Sequence, residues 1–520
     1  MSCLRLKIAD FLELTDVCGS DAVSDAAVLT SLVLEHFAFL KPPLSVEIEG
    51  DDLLVYYGEE SASAQSEAAR LAGKGAKRAS RGDYANAIDV LKRALDLQPS
   101  LHEARRDLAM AYMETGDAEK AVDHLIEVLR LRPGDAWSWV VLANLYLGPK
   151  DDIETAERFL RKALELKPDD AWALNSLAAI SHKSGRDAEA VALFDEAIAA
   201  NPEFANPYYG KAATLAAMEQ HDEAKATLDQ LFAMGQIPDA RTRTVYEQAR
   251  RLYVEIEMAI VERDESAMFK CVQDYRAELE QASGYPVRTE EGEFKDSAGA
   301  RIQMAWTHGR DHHRLTTRRG LPPAFLAHLQ AHELTHLKIE TEARQAGRNR
   351  FFTSTPKSMK AAHHSLASDA NKLQRSGYSP DQIQRLHDAL IRGLCGFLYN
   401  CPLDMLIERE LHGRFPLLRP SQFLSLRHLA AESLEANTNR EIVKVSPRKV
   451  VLASLALNGA YSLFLDELFE GASAFAAPYR KIGNFEMARR LHDHWNERAP
   501  TLALGGGGMS MPSWMNSPTC

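Results

Sequence analysis

Cysteine is scarce in this sequence, with six in 520 residues (Cys3, Cys18, Cys271, Cys395, Cys401 and Cys520), and no two of them form a C-x-x-C pair. That excludes a dense disulfide framework and fits a reducing compartment. An excess of positive charge is also missing: 61 Lys and Arg stand against 73 Asp and Glu, for a formal net charge of -12. A polyanion-binding surface would have to be a local exception, so nucleic acid is not an expected partner. The first ten residues lack the basic start and apolar run of a secretory signal. The longest apolar stretch, Val450 to Leu465, is broken by Ser454, Asn458 and Ser462. It falls short of the roughly 20 apolar residues of a spanning helix. No membrane partner is expected, and the expected location is the cytoplasm. P-loop, dinucleotide-binding and G-x-S-x-G patterns are absent, which removes three common enzyme classes.

What is present is a globular composition, 45% hydrophobic and 26% charged, on a chain too long for one core. Residues 1–58 read as a small α+β domain. Leu4 to Ile8 alternates, Val28 to Phe39 is helix-like, and Leu44 to Ile48 and Leu53 to Tyr57 flank Gly50-Asp51-Asp52 as a hairpin. Residues 59–67 are small and polar, the composition of a linker.

A repeat follows. Pro99, Pro133, Pro168 and Pro202 recur at intervals of 34, 35 and 34 residues. Alanines stand twelve residues before them (Ala87, Ala121, Ala156, Ala190), and Leu91, Leu125, Leu160 and Phe194 stand eight before. With Trp139, Leu142 and Tyr146 in the third unit and Gly116 and Gly185 at turns, the pattern resembles the tetratricopeptide repeat family. Four units span about 68–203, and a weaker fifth (Tyr208, Ala212, Ala224, Leu228) is expected to cap the array with helices up to Glu262. The resemblance implies a right-handed helical solenoid over 68–262, whose concave surface binds a peptide or protein partner, or the chain's own other domain. A spacer or dimer interface is the blander expectation, and the oligomeric state is left open.

Beyond residue 262 histidines crowd together: His308, His312, His313, His328, His332, His336, His363 and His364. His332-Glu333-Leu334-Thr335-His336 is an H-E-x-x-H sequence. On a helix, imidazoles four residues apart share one face and can reach one metal ion, with the glutamate beside bound water. A helix is expected, because Pro322 and Pro323 suit its first turn, no glycine or proline interrupts Ala324 to Ala346, and Gly347 can end it. Phe325, Leu329, His332, His336 and Ile339 fall at helical spacing, which puts both histidines in the apolar stripe. Upstream, Arg301 to Thr307 and His312 to Thr317 read as a hairpin around His308-Gly-Arg-Asp.

A hairpin before such a helix resembles the zincin metallopeptidases, in the subgroup whose third zinc ligand comes from a second helix downstream. Residues 263–500 are expected to form this domain. The best candidate segment is Asn400 to Glu410, where Pro402 can open a helix and Asp404 and Glu408 share a face. Glu408 is the favoured ligand and Asp404 the carboxylate that orients a ligand histidine, though the two roles could be exchanged. The usual order, glutamate first and aspartate four later, is reversed. Ser379-Pro-Asp-Gln382 should open a helix through Leu398, with further helices at Lys449–Phe469 and Asn484–Arg498 and a flexible tail over 501–520.

The chain is therefore expected to be mainly α, a solenoid followed by an α+β zincin-like domain. The resemblance implies a zinc-dependent peptidase with Zn²⁺ on His332, His336 and Glu408 and Glu333 as general base. The machinery does not itself choose the bond; the repeats favour a protein substrate. The alternative is a non-catalytic repeat scaffold carrying a degenerate zincin-like domain.

Overall fold

A computed structural model describes residues 2–9, 11, 26–40, 44–58, 62–148, 150–235, 240–294, 298–347, 356–375, 377–482 and 485–503. The chain divides into two compact units, Met1–Thr214 and Leu215–Cys520.

Unit 1 opens with strand β1 (Ser2–Lys7), helix α1 (Ala26–His36) and the hairpin β2 (Ser45–Glu49) and β3 (Asp52–Tyr57). The order is β1-β3-β2, antiparallel throughout; the β2–β3 pair is the hairpin expected around Gly50-Asp51, and β1 adds to its other side. This piece is not separate from the repeats. Leu131 belongs to its core, Arg130 donates to the His36 carbonyl, and Arg105 lies over the Phe39 ring. Nor is there an extended linker over the described part of 59–67. Alanine-rich sequence favours helix, and α2 (Ala62–Ala79) already begins there.

The helices then alternate in pairs: α2 with α3 (Tyr84–Leu97), α4 (His102–Glu114) with α5 (Ala118–Leu131), α6 (Ala136–Leu147) with α7 (Ile153–Leu166), and α8 (Ala171–Lys183) with α9 (Asp187–Ala200). Each expected interlocking residue is buried: Ala87, Ala121, Ala156 and Ala190 against Leu91, Leu125, Leu160 and Phe194. Gly116 and Gly185 turn with positive φ, a conformation that costs glycine little. The expected fifth repeat corresponds to α10 (Ala205–Ala217), with Tyr208 and Ala212 buried, and, in unit 2, α11 (His221–Ala233), with Ala224 and Leu228 buried.

In unit 2 the boundary expected at 262 falls inside one helix, α12 (Ala240–Ser283), 44 residues without glycine or proline. A three-stranded sheet follows: β4 (Val287–Gly292), β5 (Ala300–Gln303) and β6 (His313–Arg318). β5 and β6 are the expected hairpin, shortened; β4 lies parallel to β6 on its other side and has no counterpart in the sequence reading. Then come α13 (Pro323–Gln345), α14 (Pro356–Ser365), α15 (Ala367–Arg375), α16 (Pro380–Arg414), α17 (Arg419–Thr438), α18 (Arg440–Val445), α19 (Arg448–Leu468), α20 (Ala477–Ile482) and α21 (Phe485–Ala503). Gly347, φ 66°, follows the end of α13 as expected. Ser379 and Gln382 form the predicted capping box of α16, but the helix does not stop near Leu398; it runs through Pro402 to Arg414.

Helices α16 and α19 are long and apolar enough, by length and composition, to cross a membrane, which the stretch 450–465 alone is not. Buried core helices pass the same measure, and half of the apolar window of α19 is buried here. Cys3, Cys271, Cys395 and Cys401 are free thiols. Of the flexible tail expected over 501–520, residues 501–503 are the end of helix α21, and the rest lies outside the described residues.

Candidate metal centre

Helix α13 packs between α12, α16, α17 and the sheet. Tyr275 Oη of α12 meets Thr335 Oγ1 at 3.2 Å, and His328 N donates to Ser421 Oγ of α17, which donates in turn to the Ala324 carbonyl. These contacts fix the rotation of α13. Its most buried face carries Ala327, His328, Ala331, Leu334 and Thr335. His332 and His336 are only partly buried, so they stand on the shoulder of the core and not in a fully buried stripe.

The intervening Glu333 points to the sheet. Its Oε2 accepts the main-chain N–H of Ile302, in edge strand β5, at 2.8 Å. Glu333, His332 and His336 each place one donor atom within a sphere where all lie within 4.8 Å of one another.

Both predicted carboxylates arrive from α16, and they occupy different places. Asp404 Oδ1 lies 3.7 Å from His332 Nε2 and 3.6 Å from His336 Nε2, so one oxygen faces the same nitrogen of both imidazoles. Glu408 is fully buried and lies on the far side of His332, whose Nδ1–H donates to Oε1 at 2.7 Å. Its other oxygen, Oε2, accepts from His328 Nε2 at 2.9 Å and from Gln422 Nε2 at 2.6 Å. Gln422 also donates to the Glu408 carbonyl, and His328 Nδ1 shares a hydrogen bond with Ser425 Oγ. His328, His332 and Glu408 also gather three donor atoms within 4.8 Å. Contacts of 2.7 and 2.9 Å between imidazole nitrogen and carboxylate oxygen are hydrogen bonds with the proton between them, which uses the lone pairs a metal would need.

Electrostatics follow from this packing. Burial alone would raise the Glu408 carboxyl, but the charges and hydrogen bonds of His328 and His332 outweigh it and hold the group well below its ordinary range. For Asp404 burial is likewise opposed by the facing imidazoles of His332 and His336, with a net lowering. Burial disfavours a charged His332 ring, yet Asp404 and Glu408 reverse that and hold it well above 6.5. A cation at His332 would have to displace that proton. Burial, then the charges of Glu408 and Asp404, push the phenol of Tyr461 on α19 far upward, so it stays protonated beside the acidic pair.

The other histidines are not brought into this site by any contact described. His313 is a core residue: Nδ1 accepts from Ala305 N at 3.0 Å and Nε2 meets Ser283 Oγ at 3.2 Å. His312 pairs with Asp311 and His363 with Asp388. Glu340 lies near His336; burial raises its carboxyl, partly offset by His336 and a hydrogen bond from Trp306. His412 turns its Nδ1 to Gln422 Oε1. The participants missed from sequence are His328, Gln422 and Ser425. For His328 the signal was there, since it stands one turn before His332 on the same helix.

The fold of unit 1 and the shoulder site of unit 2 define a helical repeat protein with a histidine–carboxylate cluster on a separate helical scaffold. Residues 79–145 and 182–242 match one family model described as tetratricopeptide repeat, and 150–203 match a second with the same description. The repeats are tetratricopeptide repeats, an interaction scaffold. No curated protein matches the chain. Among solved structures, the chain is similar to PilF of Pseudomonas aeruginosa, at 19% identity and TM-score 0.32, covering 38% of this chain and 93% of that one. It is similar to a thermophilic TPR protein of Thermus thermophilus, at 22% identity and TM-score 0.31, covering 35% and 98%. YrrB, described as a TPR protein with an unusual peptide-binding site, matches at 19% identity and TM-score 0.28, covering 35% and 96%.

Proposed function

We propose that unit 2 is a zinc-dependent peptidase of the zincin type and that the repeats recruit or orient its protein substrate. The observation that carries this reading is the single Asp404 oxygen facing Nε2 of both His332 and His336, while Nδ1 of His332 is taken by Glu408. Two neutral imidazole nitrogens and one carboxylate oxygen are the donor set of a catalytic zinc, which keeps a fourth position for water. His332, His336 and Asp404 would hold the ion. Glu408 fixes the tautomer of His332. This exchanges the two carboxylate roles favoured from sequence, because Glu408 meets His332 at Nδ1 and is held there, whereas Asp404 faces Nε2 of both imidazoles.

Bound zinc supplies Lewis acidity and lowers the pKa of its water toward about 7. Glu333, between the two histidines on α13, would be the carboxylate that accepts a proton from the attacking water as it adds to the substrate carbonyl and passes it to the leaving amine nitrogen. Edge strand β5, once Glu333 gives up the Ile302 N–H, would offer main-chain groups on its open side to an extended substrate, in the manner of strand addition. The same residues suit a protein or peptide segment delivered by the repeats, whose family binds partners of that kind.

Zinc content of purified wild type and of a His332→Ala, His336→Ala double variant tests the site, with circular dichroism as the folding control. About one zinc per chain, lost in the double variant, supports it. No zinc after reconstitution overturns it. A second reading keeps the cluster as a structural cation site on a non-catalytic scaffold, favoured by the engagement of Glu333 with Ile302. Four protein ligands with no exchangeable water would decide for it.

A further inference from the structure

We infer that His328 is a positioning residue that decides which carboxylate of α16 meets the metal. The inference rests on the zinc reading above and deepens it. His328 is 1% exposed and lies one helical turn before His332. It spans Ser425 Oγ on one nitrogen and Glu408 Oε2 on the other. Gln422 Nε2 bonds to the same oxygen, and Gln422 Oε1 is itself held by His412. Glu408 Oε2 is therefore closed on both sides, and only Oε1 remains, which meets His332 Nδ1.

A carboxylate in such a cradle cannot rotate toward Nε2 without leaving two buried donors unsatisfied, at roughly 1–3 kcal/mol each. Asp404, one turn earlier on α16, faces the two imidazoles and carries no equivalent clamp among the described residues. The aspartate-before-glutamate order thus becomes functional through a third histidine. The arrangement in sequence is H-x3-H-E-x2-H on α13 with D-x3-E on α16. His328 touches neither substrate nor metal in this assignment; it acts through Glu408.

The test compares full-length wild type, His328→Phe, His328→Gln and Ser425→Ala. Each is loaded with Co²⁺ in place of zinc for its visible spectrum and titrated with zinc against a chromophoric chelator. His328→Phe releases Glu408, so zinc binding should weaken about 10- to 100-fold, the usual cost of losing an outer partner. The Co²⁺ spectrum should change in shape and lose intensity as a further carboxylate enters the coordination sphere. His328→Gln, whose amide N–H can still reach Glu408 Oε2, should restore both. Ser425→Ala leaves His328 in place with one bond fewer and should fall between, which keeps the test open if the phenylalanine variant does not fold.

Zinc affinity within about twofold of wild type and an unchanged Co²⁺ spectrum in folded His328→Phe would overturn the positioning role while leaving the zinc reading intact. Wild type that binds neither ion would overturn both. Equal weakening in the Phe and Gln variants would assign His328 a packing role only and overturn the inference.

Discussion

The main-chain N–H of Ile302 and the carboxylate of Glu333 are joined at 2.8 Å, and through that bond the edge strand of the sheet is tied to the helix that carries the histidines. A carboxylate oxygen and a glutamine amide oxygen both accept such a bond. The Glu333→Gln variant should therefore fold as wild type and keep its zinc. Hydrolysis of a fluorescent-labelled unfolded casein should nevertheless fall by about 10²- to 10⁴-fold, the contribution of a positioned general base. Undiminished hydrolysis with full zinc would show that another group takes the proton.

The two carboxylates of α16 should separate by experiment. Asp404→Asn should lower zinc stoichiometry sharply with little effect on the metal-free fold. Glu408→Gln should keep zinc at about 10- to 100-fold weaker affinity. It should also destabilise the protein by roughly 3–5 kcal/mol, because breaking a buried charged pair strands its partners. Titration with chelator beside urea unfolding of the metal-free variants reads both effects. The reverse pattern would restore Glu408 as the ligand.

Acid should weaken unit 2 through His313. Burial, helped by the charge of His312, pushes this imidazole down to about 4. Between pH 6.5 and 4 the unfolded chain binds a proton that the folded one refuses, so stability is full above 6.5 and is lost as pH falls toward 4. A shift of this size corresponds to something on the order of 3 kcal/mol. In urea unfolding from about pH 4 to 7, His313→Gln, which keeps an acceptor for Ala305, should flatten the acid limb. An identical limb in the variant would assign the acid loss to other groups.

Two glycines of the repeat unit should respond with opposite sign to the same added methyl. A Cβ on Gly210 would sit 2.4 Å from Phe194 Cζ, so Gly210→Ala overpacks the interlock at a cost of about 1–3 kcal/mol. Gly73, inside α2, has nothing within 4 Å of that position, and Gly73→Ala should stabilise by up to about 1 kcal/mol. Melting temperatures of the two variants check the pair.

The repeats were legible because a fixed-length unit restates its packing in every copy: Ala87 and Leu91 mean little alone, but recur at the same offsets before each proline. His332 and His336 were legible because helical spacing is a local property. Strand β4 was not, since Val287 to Gly292 is mostly exposed and finds its partner in β6, beyond an intervening strand. The end of α12 was misplaced at 262 although the absence of glycine and proline up to Ser283 was in plain view. The roles of Asp404 and Glu408 could not be read, because both lie on one helical face and only the rotation of α16 against α13 decides which meets Nε2 and which meets Nδ1.

Pro402 lies within α16 and has no N–H to give the Leu398 carbonyl, so the ladder of that helix lacks a rung just before Asp404. The helix is in effect two legs on a joint. One leg, from Pro380 to Cys401, carries most of its aliphatic surface; the other, through Arg414, carries Asp404, Glu408 and Glu410. A missing rung is where a helix bends at least cost, so a bend in α16 would fall upstream of the carboxylates it presents to α13.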